Sequence, residues 1–198
     1  MKIIAIVQAR MGSSRLPGKV MKEINGVPMI QILLERLKLS KKIDEIVVAT
    51  TESKKDLEMV DFLLSNNFLC ERGSEKNVLQ RFIDVSNKYN ADYIVRITGD
   101  CPLIDPALVD LVISELIKTK ADYCTNTMPP TFPDGLDVEV FSAVQLEQAQ
   151  DLCVDNSDIE HVTPSIRRRE DIRKKNIEHP EDLSSLRWTV DELSDFEV

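Results

Sequence analysis

The sequence predicts an α/β fold with a mostly parallel sheet covered by helices on both faces. Three observations predict it. Strand-like apolar runs alternate with helical patterns through the first 126 residues, the arrangement that crossover connections between parallel strands require. The first run, residues 3–7 (IIAIV), contains no polar residue and reads as a buried strand. The 198 residues suffice for one domain with a full core.

The elements follow in order. Residues 29–39 are helical, with Ile32, Leu33, Arg36 and Leu37 at helical spacing. Residues 43–50 form a second strand and 54–65 a helix. Residues 68–70 are extended, and 75–89 make a helix with Val78, Leu79, Phe82 and Val85 on one face. Residues 92–97 are a third clear strand. Pro106 opens the next helix, where its missing N–H costs nothing, and that helix runs to about Thr119. Residues 121–126 are a further strand.

From Thr127 the pattern changes. Met128, Pro129, Pro130 and Pro133 make a non-helical loop, and Asp134-Gly135 signals a turn. Residues 136–141 alternate as a strand, with Leu136, Val138 and Val140 on one face and Asp137 and Glu139 on the other. Helices are expected over 142–151 and 158–169, and the first turn of another after Asp191. No repeat, low-complexity tract or linker interrupts the chain, so residues 1–198 read as a single domain. Nothing caps the last turn, and the expectation is a domain lacking part of its C-terminal helical segment.

The composition narrows the partners. The net charge is −9, which argues against nucleic acid or an anionic membrane surface. No apolar run approaches the roughly 18 residues of a membrane span, and Lys2 is followed by only five apolar residues before Gln8, too few for a signal peptide. Cys70, Cys101, Cys124 and Cys153 are far apart, a spacing that suits neither zinc nor a disulfide framework. Reduced thiols and a cytoplasmic setting are expected.

Against that acidic background, residues 8–19 (QARMGSSRLPGK) stand out. They leave the first strand as a loop with two glycines, two serines, two arginines and a lysine. Gly12 and Gly18 permit a tight bend and close approach to a ligand. Ser13 and Ser14 offer hydroxyls, while Arg10, Arg15 and Lys19 offer full charge, a set suited to a triphosphate. The pattern is neither the Walker loop nor the dinucleotide fingerprint. The loop after residue 97 begins at the same carboxyl edge of the sheet, where ligands of such folds bind.

That second loop reads TGDCP, and its Asp100 is placed either to hold a divalent metal against phosphate oxygens or to cap a turn. Asp191, closing the run LRWTVD, either meets Asp100 across adjacent strands on one metal or caps the last helix. Arg72 and Ser74 either close over a base or ribose, or Ser74 caps the helix that follows. Asn77 stands where a capping box would want an acid or Gln. Asp137 and Glu139 either line a pocket or face water. His161, in EHVTP, either binds an acidic substrate or is structural. Arg167, Arg168 and Arg169 read as a solvated helix face, and Trp188 as core.

Seven segments together resemble a known family: QARMGSSRLPGK, VVATT (47–51), RGS (72–74), RITGDCPLIDP (96–106), GLDVEVFS (135–142), EHVTP (160–164) and LRWTVD (186–191). Their order resembles the cytidylyltransferases of the spore-coat polysaccharide biosynthesis protein F type, which are similar to the enzymes that make CMP-Kdo and CMP-sialic acids. The resemblance covers nearly the whole chain. It implies a three-layer α/β/α sandwich, the nucleotide-diphospho-sugar transferase (GT-A-like) fold, often dimeric. It also implies attack of a sugar hydroxyl on the α-phosphate of CTP, with pyrophosphate leaving. Carried over by position, Arg10, Arg15 and Lys19 would neutralise the triphosphate, with Gln8, Ala9, Gly12, Ser13 and Ser14 beside the nucleotide. Asp100 and Asp191 would hold Mg²⁺, Arg72 and Ser74 would lie near the nucleotide, and Asp137, Glu139 and His161 toward the sugar. One departure is that Glu192-Leu193-Ser194-Asp195 follows Asp191 where the family commonly has Thr-Pro-Glu-Asp.

Two other functions compete. A glycosyltransferase usually carries Asp-x-Asp after a mid-chain strand, and Gly99-Asp100-Cys101 has only one Asp. A non-catalytic nucleotide-binding module would bind CTP without turning it over.

Overall fold

A computed structural model describes residues 1–196. Its centre is a seven-stranded sheet in the order β5-β4-β1-β6-β8-β7-β9. The strands are β1 (Ile3–Gln8), β4 (Glu45–Thr51), β5 (Leu69–Gly73), β6 (Tyr93–Thr98), β7 (Tyr123–Thr125), β8 (Glu139–Ser142) and β9 (Lys174–Asn176). β2 (Glu23–Ile24) and β3 (Val27–Pro28) form a separate small hairpin across Asn25-Gly26, a two-residue turn that signals hairpins from sequence. β1 pairs in parallel with both β4 and β6, while β8 runs antiparallel between β6 and β7.

Alternate residues of β1 point to opposite faces. Ile3, Ala5 and Val7 pack in one core with residues of α1 (Met29–Leu37), α2 (Leu57–Ser65) and α4 (Pro106–Thr119). Ile4 and Ile6 pack in the other with residues of α3 (Val78–Tyr89), α5 (Ala143–Asp151) and α7 (Pro164–Arg168). The result is the three-layer α/β/α sandwich that the sequence predicts. After β1 the chain steps outward through β4 and β5, then returns to the far side of β1 as β6. Strand order therefore reverses at the β1/β6 pair, and the loops leaving those two carboxyl ends diverge to open a crevice.

Local chemistry moves several boundaries. α3 starts at Val78 rather than residue 75, because Asn77 is its cap and accepts from Gln80 N at 2.8 Å. Ser74 sits one step earlier, its Oγ accepting from Asn77 N. The long helix expected over 158–169 is two helices, α6 (Asn156–His161) and α7, broken at Val162, which has φ 70. Pro164 explains the break: it has no N–H to bond the Glu160 carbonyl and its ring would collide with that carbonyl, so it opens a new helix at its first turn instead. Residues 136–138 approach β8 without joining it, and residues 186–191 form no strand, making one isolated β-bridge between Asp134 and Arg187. Trp188 is 42% exposed and so is not core. The last helix, α8, spans Leu193–Phe196. Among the described residues no helix is long and apolar enough to cross a membrane.

Candidate active site

The loop of residues 8–19 is pinned at both ends. Near its start, Met11 N donates to Asp56 Oδ1 at 2.7 Å. Asp56 is 1% exposed and also accepts from Thr50 Oγ1, Thr51 N and Thr51 Oγ1. At the far end Gly18 N donates to Met11 O at 2.9 Å, and Gly18 adopts φ 70, a left-handed conformation that L side chains resist. That turn starts a single 3₁₀ turn, Lys19–Met21, and sends the Lys19 side chain inward.

The loop after β6 comes in against it. Gly99 N donates to Gln8 O at 2.8 Å, and a Cβ on Gly99 would lie 2.9 Å from Ala9 Cβ. Only glycine lets the two backbones close to this distance. Residues 189–191 dock on the same loop: Val190 N donates to Asp100 O at 2.8 Å, and Thr189 Oγ1 at 3.2 Å.

Lys19 Nζ therefore donates to Asp100 Oδ2 at 3.0 Å, Asp191 Oδ1 at 2.9 Å and the Val190 carbonyl at 2.9 Å. Arg15 reaches Asp191 Oδ1 at 2.9 Å and Arg187 reaches Oδ2 at 2.9 Å. Burial alone would push the Asp191 carboxyl up, but Lys19, Arg187 and Arg15 outweigh it and hold it below the usual carboxylate range. Two carboxylates and a carbonyl converging on one cation are hard oxygen donors, and a magnesium ion that keeps phosphate and water ligands needs few protein ligands. The donor set fits such an ion. The surrounding cleft, about 310 Å³, is lined by Gln8, Ala9, Arg10, Ser13, Ser14, Arg15, Lys19, Arg96, Thr98, Gly99, Asp100, Glu160, His161 and Asp191, among others.

A second cavity of about 370 Å³ adjoins it and shares Arg96 and Thr98. Its walls include Thr127, Pro130, Phe132, Asp134, Asp137, Glu139 and Arg167. Arg96 and Glu139 face each other across the β6–β8 ladder, with Nη1 2.5 Å from Oε2. Glu139 Oε1 accepts from Tyr123 OH at 2.5 Å and Thr163 Oγ1 at 2.7 Å. Burial pushes the Glu139 carboxyl up, yet the Arg96 charge and these hydrogen bonds win and hold it below the usual range. Asp137 opens into the cavity from within its walls. Desolvation there, with the negative charge of Asp134 and Glu139, pushes its carboxyl up to about 6.

The cytidylyltransferase family profile matches residues 4–193. The chain belongs to the cytidylyltransferase family. An uncharacterized protein of Methanocaldococcus jannaschii is 42% identical over 100% of this chain and 82% of its own length. The spore coat polysaccharide biosynthesis protein SpsF of Bacillus subtilis is 34% identical over 98% of this chain and 83% of its own. A cytidylyltransferase structure from Leptospira borgpetersenii superposes with a TM-score of 0.95 at 36% identity, covering 100% of this chain and 84% of that one.

In this cytidylyltransferase the fold brings Gln8, Ala9, Arg10, Ser13, Ser14, Arg15, Lys19, Asp100, His161 and Asp191 into one cleft. Asp191 does not cap a helix: its carboxylate faces the cations. Asp137 and Glu139 line the second cavity, but both Glu139 oxygens are already engaged by protein groups, so it orients Arg96 rather than offering a free acceptor. Three expected residues lie elsewhere. Gly12 is exposed and a Cβ there would meet open space. Arg72 donates to the Thr51 and Ser53 carbonyls and borders a separate hollow beside Glu71 and Arg81, while Ser74 serves the start of α3. Residues 167–169 are not a plain solvated face. Arg168 makes a bidentate pair with the fully buried Asp158, Arg169 binds Gln145 and Asp171, and Arg167 faces the second cavity. Asp56, Arg96, Thr163 and Arg187 were not read as site residues. Arg96 carried a signal, a lone charge within the apolar run YIVRIT. Asp56 carried none, being one acid among several at a helix start.

Proposed function

We propose that this cytidylyltransferase moves CMP from CTP to a sugar hydroxyl and releases pyrophosphate, in the synthesis of a surface polysaccharide or glycan. The observation that carries this reading is the pair of adjoining cavities sharing Arg96 and Thr98, one lined by the cationic loop and one by carboxylates. The triphosphate belongs in the first, where Arg10, Arg15 and Lys19 offset its charge. The sugar belongs in the second, so the acceptor oxygen and the α-phosphorus meet at the shared wall. The SpsF relative supports the polysaccharide context.

In-line displacement at phosphorus needs positioning and charge neutralisation more than covalent chemistry by the protein. Asp100 and Asp191 would hold Mg²⁺, which when bound neutralises phosphate oxygens. Lys19, released from the two carboxylates, turns to the triphosphate. Asp137, with its carboxyl near 6, is matched to accept the proton of the acceptor hydroxyl at neutral pH. His161 and Glu160 line the first cavity. Four free cysteines fit the cytoplasmic setting that CTP supply requires.

The test is pyrophosphate release by the purified chain with Mg²⁺, each of four nucleoside triphosphates, and a panel of sugars including Kdo and nonulosonic acids. Release with CTP and one sugar is expected. Release with a purine nucleotide, or sugar transfer without pyrophosphate, would overturn the reading.

A further inference from the structure

We infer that Arg167 sets the acceptor specificity of the second cavity, its two terminal nitrogens donating to an anionic oxygen group, a carboxylate or a phosphate, carried by the sugar. The inference rests on the function proposed above and deepens it: the acceptor is an anionic sugar, and Arg167 is the residue that reads its charge.

The charges lining the second cavity carry the argument. Two of its carboxylates are already committed to guanidinium groups: Glu139 Oε2 lies 2.5 Å from Arg96 Nη1, and Asp134 Oδ2 lies 2.6 Å from Arg187 Nη1. Asp137 remains as the uncommitted acid and is assigned above to the acceptor hydroxyl. Arg167 remains as the uncommitted cation, half-buried and paired with no carboxylate among the described residues. Its side-chain hydrogen bond runs from Nε to Met128 Sδ at 3.1 Å, and a thioether is a weak acceptor. Neither Nη has a protein acceptor among the described residues, and neither is sealed from water.

The local fold aims this side chain at the acceptor. Arg167 N donates to Thr163 O at 2.9 Å, so the two residues stand four apart on one helical face. Thr163 Oγ1 donates to Glu139 Oε1 at 2.7 Å, which turns that face toward the cavity wall. The positive charge of Arg167 acts on both Glu139 and Tyr123, as a guanidinium on that side must. Lys174 Nζ donates to Arg167 O at 2.9 Å and ties down the end of α7. Arg167 lines the second cavity and not the first, so the triphosphate is not its partner. A planar guanidinium with both terminal nitrogens free matches a carboxylate or phosphate in a bidentate pair. A neutral sugar would desolvate that charge without giving it an anionic acceptor, and a site built this way rejects the analogue lacking the group.

The test pairs anionic acceptors with neutral counterparts: Kdo and N-acetylneuraminate with their C1 carboxamides, and mannose 6-phosphate with mannose. Wild type, Arg167→Gln and Arg167→Lys are compared for kcat and acceptor KM, with CTP affinity read by calorimetry and folding by melting temperature. Wild type should prefer an anionic acceptor over its neutral counterpart by about 30-fold in kcat/KM. Arg167→Gln should raise KM for that acceptor by about 30-fold, leave kcat and CTP affinity within a few-fold, and leave the neutral counterpart unchanged, so the preference disappears. Arg167→Lys should keep part of it, since the charge stays and the fork is lost. A preference within the sugar-acid pairs names a carboxylate, and one within the mannose pair names a phosphate. A wild type that uses a neutral sugar as well as its anionic counterpart overturns the inference. So does a preference that survives in Arg167→Gln, or a fall in kcat at unchanged KM. In those cases the enzyme is active and the proposed function stands. A wild type that releases no pyrophosphate with any acceptor sinks the function itself, and this inference with it.

Discussion

Lys19 Nζ lies 2.9 Å from Asp191 Oδ1, joining residues 172 positions apart. The same ammonium reaches Asp100, so one cation bridges two carboxylates that would otherwise repel. Lys19→Ala removes it and leaves both acids facing each other. The expected cost is about 2 kcal/mol of stability, read as a lower melting temperature. Mg²⁺ should then raise the melting temperature of the variant more than that of the wild type. CTP affinity should fall about tenfold or more, since a full charge toward the triphosphate is gone. Unchanged CTP affinity by calorimetry would remove the loop from the nucleotide site.

Asp100 differs from Asp191 in having a single cationic partner, and its side chain keeps 27% exposure. Asp100→Asn preserves shape and leaves Lys19 on Asp191. The chain should fold normally by circular dichroism and lose pyrophosphate release by about 100-fold or more. Normal turnover would end the assignment of a metal to this position.

Asp56 is invisible to motif reasoning yet anchors the active loop. Four donors converge on its buried carboxylate, one of them Met11 N. Asp56→Ala strands those donors and should destabilise the fold by about 3 kcal/mol. Urea denaturation measures this, and limited proteolysis should show earlier cutting between residues 11 and 18. Equal cutting rates would show that the loop holds its shape without this anchor.

The contrast between Asp56 and Lys19 shows what the sequence could disclose. β1, β4, β6 and α4 were legible because apolar periodicity and a proline at a helix start are local signals. So was the Gln8–Lys19 segment, whose charge stood against an acidic chain. The division of residues 156–168 at Val162 is less legible, since the helical pattern runs on through Pro164 and a proline can also sit inside a kinked helix. Trp188 was misplaced because residues 186–191 look like a strand but pair with none; their docking depends on Gly135 and Asp100, both far away in sequence. Glu139 could be placed on a strand, but its partners Arg96, Tyr123 and Thr163 come from three other segments, and only the fold brings them together.

Asp137 sets a pH dependence with a definite sign. Its carboxyl rises to about 6 through desolvation and the charges of Asp134, Glu139 and Asp100, against the opposing charge of Arg96. As a base it must be ionised, so kcat should climb as pH rises through about 6, and Asp137→Asn should erase that limb and lower the plateau by about 100-fold. Stability moves the opposite way. A raised carboxyl favours the protonated fold, so its contribution is fully present only below the usual carboxylate value of 3.8, is lost as pH rises from there through about 6, and stays lost above. The Asn variant should therefore gain melting temperature relative to wild type as pH is raised from about 3 to about 8. A kcat profile unchanged by the substitution would move the base elsewhere.

Gly135 couples the second cavity to the first. It adopts φ 105, and a Cβ there would lie 2.5 Å from Thr189 N and 2.6 Å from the Trp188 carbonyl carbon. Asp134 grips the same segment, accepting from Trp188 N at 2.6 Å, and its carboxylate pairs with Arg187. Gly135→Ala thus carries both a backbone penalty and a collision with main chain that no side-chain rotation relieves, together about 3 kcal/mol. The push is directed at residues 188–189, and Asp191 lies two positions beyond. The variant should consequently lose activity beyond its loss of folded fraction, with the deficit concentrated in a weaker response to Mg²⁺ titration. If activity per folded molecule equals wild type, the contacts of this segment with Asp100, Lys19 and Arg187 hold Asp191 in place without Gly135, which then serves only the turn before β8.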